Sequence, residues 1–138
     1  MRAEVILCDH AQVAEGKLFL SGGGISWVTS GAPISLAVLV HVPWDQANQK
    51  INYTLELHTQ DGPLNVLGPD GQSAVIGGSG EFEVGRPAGH LRGAALDVPL
   101  AFNLASLTVP AGRYVWRLTI NDENRDDWAV AFSVRAPD

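Results

Sequence analysis

Ile51-Asn52-Tyr53-Thr54-Leu55-Glu56-Leu57-His58 alternates apolar and polar residues without a break. A period of two places Ile51, Tyr53, Leu55 and Leu57 on one face of a β-strand and Asn52, Thr54, Glu56 and His58 on the other. The same period returns elsewhere. Tyr114, Trp116, Leu118 and Ile120 alternate with Val115, Arg117 and Thr119. Trp128, Val130, Phe132 and Val134 alternate with Ala129, Ala131, Ser133 and Arg135, and Val98, Leu100, Phe102 and Leu104 with Pro99, Ala101 and Asn103. The run Ile34–Val42 is apolar on both faces apart from Ser35 and His41. It reads as a central strand covered on both sides, by its own chain or by a partner.

Further strands are expected at 3–9, 17–21, 25–29 and 75–84. Asp61-Gly62 and Asp70-Gly71 are turn dipeptides, and Gly22-Gly23-Gly24 marks a bulge or bend. Pro43 to Asn48 has room for one helical turn. No segment carries a sustained helical period. About eight or nine short strands predict an all-β fold, a two-sheet antiparallel β-sandwich with Greek-key connections, in one domain spanning 1–138. Pro110-Ala111-Gly112-Arg113-Tyr114 matches the turn of immunoglobulin-like sandwiches in which a tyrosine hydroxyl bonds back to the preceding loop.

The matching pieces Asp9-His10-Ala11, Gly16-Lys17-Leu18 followed by Gly22-Gly23, Asp61-Gly62, and Pro110-x-Gly112-x-Tyr114 span most of the chain. Through them the sequence resembles a family of small bacterial β-sandwich proteins of unknown function. The resemblance implies a β-sandwich and carries no functional residue with it.

The 138 residues carry a net charge of −6, and 46% of them are hydrophobic. That is enough apolar material for a real core. The acidic balance disfavours nucleic acid or an anionic membrane as a partner, since both attract a basic face. No stretch approaches the roughly 20 apolar residues of a membrane helix. The start, Met1 to Cys8, lacks a signal's long apolar region and has Leu7 where a lipoprotein signal needs a small residue. Cys8 is the single cysteine, which suits a reducing compartment, and cytoplasmic location is the expectation.

The residues offer little chemistry. His10, His41, His58 and His90 have none of the short spacings of a zinc site, and on a 34–42/51–59 hairpin His41 and His58 would stand roughly 20 Å apart. They read as solvent-facing strand histidines. Asp122, Asn124 and Asp126 imitate the first half of a calcium loop, but Asp127 stands where the loop needs glycine and Ser133 where it needs glutamate. The segment reads as a solvated hairpin loop, and chelators are expected to change nothing. Neither glycine cluster leads into a helix that would cradle phosphate. Cys8 lies in an apolar strand and reads as an inert thiol. Glu81 and Glu83 read as the wet side of a strand. No catalytic, metal or cofactor residue is therefore assigned.

What remains is surface. Trp27, Trp116 and Trp128 fall at core-facing positions, whereas Trp44 sits in a connection. It either caps one end of the sandwich or offers a ring to a sugar or a protein. The segment Gly85–Gly93 is the one cationic stretch, with Arg86, His90 and Arg92. It reads as an exposed loop or a contact for an acidic partner. Ala37 and Leu39 on the outer face of the apolar run need cover, which the 85–93 loop or a second copy of the chain can give. The expected role is a non-enzymatic protein-interaction or assembly module, possible contacts being Trp44, Leu39, Arg86, His90 and Arg92. Its partner is a protein, a homodimer included. A carbohydrate- or small-ligand-binding module, using Trp44 and the 121–127 loop, is the second reading.

Overall fold

The alternating segments do become strands. In the computed structural model, which describes residues 1–67 and 69–137, they form two main sheets and two small hairpins. In chain order the strands are β1 (Arg2–Cys8), β2 (His10–Ala14), β3 (Lys17–Ser21), β4 (Trp27–Thr29), β5 (Ile34–Val42), β6 (Ile51–Thr59) and β7 (Gly62–Pro63). There follow β8 (Asn65–Leu67), β9 (Ser73–Val75), β10 (Gly77–Phe82), β11 (Leu96–Leu104), β12 (Gly112–Ile120) and β13 (Glu123–Arg135). One 3-10 turn, Trp44–Gln46, follows β5. The smaller sheet has the order β1-β5-β11 and the larger β10-β6-β12-β13-β4, with β7 beside β6. Pairing is antiparallel except for β13 with β4.

The inward rows of both sheets make one core. Leu7, Ile34, Leu36, Val38 and Val40 come from the smaller sheet, and Ile51, Leu55, Leu57, Trp116, Leu118 and Trp128 from the larger. Tyr114, Trp116, Leu118 and Ile120 are all buried, as their alternation requires. The tyrosine corner forms too: Tyr114 donates its hydroxyl to the Pro110 carbonyl at 2.6 Å. Tyr114→Phe should keep the fold and cost about 1 kcal/mol in a urea melt, the net worth of one such bond. No measurable loss would mean that the corner is held by packing alone.

Several expectations need correction. Strands β5 and β6 do not pair. The chain crosses between sheets at 43–50, because β5 already has β1 and β11 on its two edges and β6 has β12 and β10. Alternation says which face of a strand is buried, not which strand lies beside it. His41 and His58 consequently sit in different sheets. Trp27 is not in the core. It is 47% exposed on the short edge strand β4, with the Arg135 guanidinium 3.8 Å from its ring centroid. The 121–127 segment is not a loop: Asn121 and Asp122 alone turn the chain, both at positive φ (49° and 64°), and β13 starts at Glu123. Asn and Asp tolerate this geometry, which matches strand twist in a two-residue turn. The Asn121 side chain accepts the Asn52 N–H at 3.0 Å. Asp122, Asn124 and Asp126 are all exposed along this hairpin and do not converge.

The apolar outer face of β5 is covered from within the chain. The β2–β3 hairpin folds across it, and Ala11 packs with Cys8 and Ala37, all without solvent exposure. Asn103 staples it there. Its amide donates to the Ala11 carbonyl at 2.9 Å and accepts the Ala11 N–H at 3.2 Å, the two bonds a neighbouring strand would make. The buried Ser35 hydroxyl completes the set on Asn103 Oδ1. Ala37 therefore needs neither the 85–93 loop nor a second copy.

Candidate functional site

Three of the five surface residues singled out in the sequence meet. The 3-10 turn after β5 holds Trp44 half-buried at one end of the smaller sheet. The 83–95 connection crosses over it. Arg86 lies above the Trp44 ring, its Cζ 4.4 Å from the centroid, and donates to the Trp44 carbonyl through Nη2 at 2.7 Å and Nε at 3.2 Å. The His90 ring is nearly parallel to the indole, 6° off, with centroids 5.9 Å apart. His90 Nε2 lies 3.1 Å from each of the Ala94 and Ala95 carbonyls.

This arrangement holds a loop in place. Two of the five guanidinium N–H donors of Arg86 go to the Trp44 carbonyl, and its face lies on the indole ring. Arg86 itself remains exposed, and the described residues engage none of its other donors. Arg92 and Leu91 are exposed further along the loop. Leu39 stands apart from this cluster, half-buried on the outer face of β5 between Glu4 of β1 and Pro99 of β11.

A cleft of about 540 Å³ opens beside Trp44, lined by Arg2, His41, Trp44 and Asp45 among others. The sequence placed all four histidines in solvent, yet the side chain of His58 is only 19% exposed and His41 is covered further. The His41 side chain is 13% exposed and lies between two carboxylates. Nδ1 donates to Asp97 Oδ1 at 2.7 Å, and Nε2 is buried 3.5 Å from Glu4 Oε2. The grouping escapes sequence reading because residues 4, 41 and 97 meet only through the register of three strands. Among the described residues, no three His, Cys, Asp or Glu side chains gather in a way that would hold a metal.

Cys8 is fully buried. Burial, and secondarily the adjacent Asp9 charge, push its thiol above the ordinary 9.0. The proton is therefore held more tightly in the folded chain than in the unfolded one. Stability from this group is complete below about pH 9 and falls as pH rises through the folded value. Denaturant midpoints should stay level up to that pH and drop above it, less steeply in Cys8→Ala. Tyr114, also raised by burial, keeps its own share of the drop in both proteins. Identical pH profiles for the two would remove Cys8 from this account.

A feature the sequence reading missed lies on β1 and the β2–β3 hairpin. Phe19 is 50% exposed, Val13 44%, Leu20 39% and Ile6 37%. Gly23 sits between Ile6 and Leu20, so that a Cβ there would touch both side chains. The available signal was Lys17-Leu18-Phe19-Leu20, where three apolar residues in succession leave no polar face.

The structure defines an all-β domain of two main sheets about one core, with a stapled hairpin on the outer face of the smaller sheet. The chain belongs to DUF6941, a family of unknown function, whose profile matches residues 4–133. No curated protein matches it. Among solved structures it is similar to the CARDB domain of a Pyrococcus furiosus protein in complex with di-metal ions. The two share 12% identity over 98% of this chain and 92% of that one, with a TM-score of 0.48. It is also similar to the alkylpurine DNA glycosylase AlkC of Pseudomonas fluorescens bound to DNA with an abasic site analog. Here identity is 17%, TM-score 0.39, and the match covers 99% of this chain but 32% of the glycosylase. At these identities neither likeness assigns this chain a ligand or a role.

Proposed function

We propose that this domain is a non-enzymatic protein-interaction module of immunoglobulin-like, Greek-key type that works in the cytoplasm. The observation that carries the reading is the exposed apolar side chains of β1 and the β2–β3 hairpin: Ile6 and Leu20 beside Gly23, Val13 on the same face of the hairpin as Leu20, and Phe19 on its outer face. Exposed apolar side chains favour removal from water, at roughly 25 cal/mol per Å² of apolar area covered. A protein surface, a second copy of the chain included, is the partner that covers them. Leu39 extends the same surface by one row beyond Ala37. The tyrosine corner supports the topology. The sugar-binding alternative is weaker, because the Trp44 ring already carries Arg86 and His90.

The test starts with light scattering at micromolar concentration. If the chain self-associates, Phe19→Asp and Leu20→Lys should return it to monomer with an unchanged circular dichroism spectrum. If it is monomeric, proteins retained from the native host by wild type should be lost with Phe19→Asp. A monomer that retains the same proteins with and without Phe19→Asp ends the proposal.

A further inference from the structure

On its β2 side the hairpin is held by Asn103 of β11; its β3 side is open. The register pairs Ala11 with Leu20, Gln12 with Phe19 and Val13 with Leu18. In an antiparallel pair, residues that bond across the pair alternate with residues whose N–H and C=O point outward. Ala11 gives both of its backbone groups to the Asn103 side chain, outside the hairpin. Ala11 and Leu20 are therefore an outward-pointing pair, and so, two residues on, are Val13 and Leu18. Leu18 and Leu20 consequently aim their N–H and C=O groups away from β2. Among the described residues, β3 pairs with no other strand, and neither leucine makes a backbone bond to another segment. Leu20 is 39% exposed, and Phe19, between the two leucines, 50%.

We propose that this edge pairs with β3 of a second copy of the chain, antiparallel, about a two-fold axis through Phe19. The proposal rests on the hairpin reading above and fixes its partner and geometry. The register selects an identical strand. With the axis at Phe19, Leu18 of each copy lies opposite Leu20 of the other, so every outward N–H finds an outward carbonyl. The two Phe19 rings stand directly opposite on the outer face, in a non-hydrogen-bonded pair, where side chains come closest. Lys17 of each copy faces Ser21 of the other. The next residue is Gly22, where the Asp9 carboxylate fills the place of a side chain. The two lysines thus stay roughly 13 Å apart, and each comes within reach of a carboxylate. Two ribbons of two strands, each marginal alone, become one sheet of four. The two-fold axis uses the β3 edge of both copies and closes the assembly at two.

Light scattering over the micromolar range measures the dimer, and oxidative crosslinking fixes its register. In a Cys8→Ala background, Phe19→Cys should form an intermolecular disulfide in most of the protein. Directly opposed strand positions have the Cα spacing that such a bond needs. Lys17→Cys should not crosslink, since its counterpart lies four residues further along the pair. Leu20→Pro removes one outward N–H from each copy and no bond within the hairpin. It should raise the dimer Kd about thirtyfold, the loss of two bonds, with an unchanged circular dichroism spectrum. If Leu20→Pro alters the spectrum, the two cysteine variants decide alone. A monomer at every concentration, Lys17→Cys crosslinking as readily as Phe19→Cys, or an undiminished Leu20→Pro dimer overturns this geometry. Host proteins lost with Phe19→Asp would then still support the wider interaction reading, and their retention would end both.

Discussion

Trp116→Ala should lower the unfolding free energy by about 3–5 kcal/mol. Trp116 is one of the two fully buried tryptophans of the core, on the inward row of β12 between β6 and β13. Truncation removes the burial of the whole indole and leaves a void that close-packed neighbours fill only in part. Loss of the buried indole N–H, which has no acceptor among the described residues, gives back a fraction of this, which favours the lower half of the range. A domain of this length has roughly 5–15 kcal/mol in total. The variant should therefore melt about 10–20 °C lower than wild type. Urea melts at 25 °C measure the loss directly, and a value below about 1 kcal/mol would place Trp116 at the margin of the core.

The second large effect sets two adjacent glycines against each other. Gly77→Ala should cost about 1–3 kcal/mol, whereas Gly78→Ala should change stability by less than about 0.5 kcal/mol. A methyl group at Gly77 would overlap the Leu55 carbonyl oxygen on β6, an atom held in the larger sheet and unable to yield. At Gly78 the same methyl group meets open space. Both residues lie on β10 and both look alike in the sequence Ile76-Gly77-Gly78-Ser79. Parallel denaturant melts of the two variants decide the matter. Equal losses would mean that β10 slides to relieve the contact.

Much of the fold was readable from alternation. The period of two at 51–58, 98–104, 114–120 and 128–134 identifies strands and their buried faces, since each side chain's face follows from its own position in the pleat. The corner at Pro110–Tyr114 was readable because the turn and its hydroxyl bond are local. So was the burial of Cys8, which its apolar neighbours imply. Partner choice was not. Nothing in Ile34–Val42 or Ile51–Thr59 says that their connection changes sheets, because a pleat looks the same whichever strand lies beside it.

The candidate sites divide the same way. Residue types nominated Trp44, Arg86 and His90, and the structure brings them together as a clasp, with Arg86 on the Trp44 ring and bonded to its carbonyl. Trp27 alternates like a core residue, yet it lies exposed on the three-residue edge strand β4. The set Glu4, His41 and Asp97 and the Asn103 staple each join residues tens of positions apart. Composition and pattern determined an acidic, all-β chain with one thiol and a tyrosine corner, because those properties belong to single residues or short windows. Strand order and register decided which apolar face the hairpin covers, which face stays open, and which buried donor goes unpaired, because those properties belong to pairs of strands that only the folded chain brings side by side.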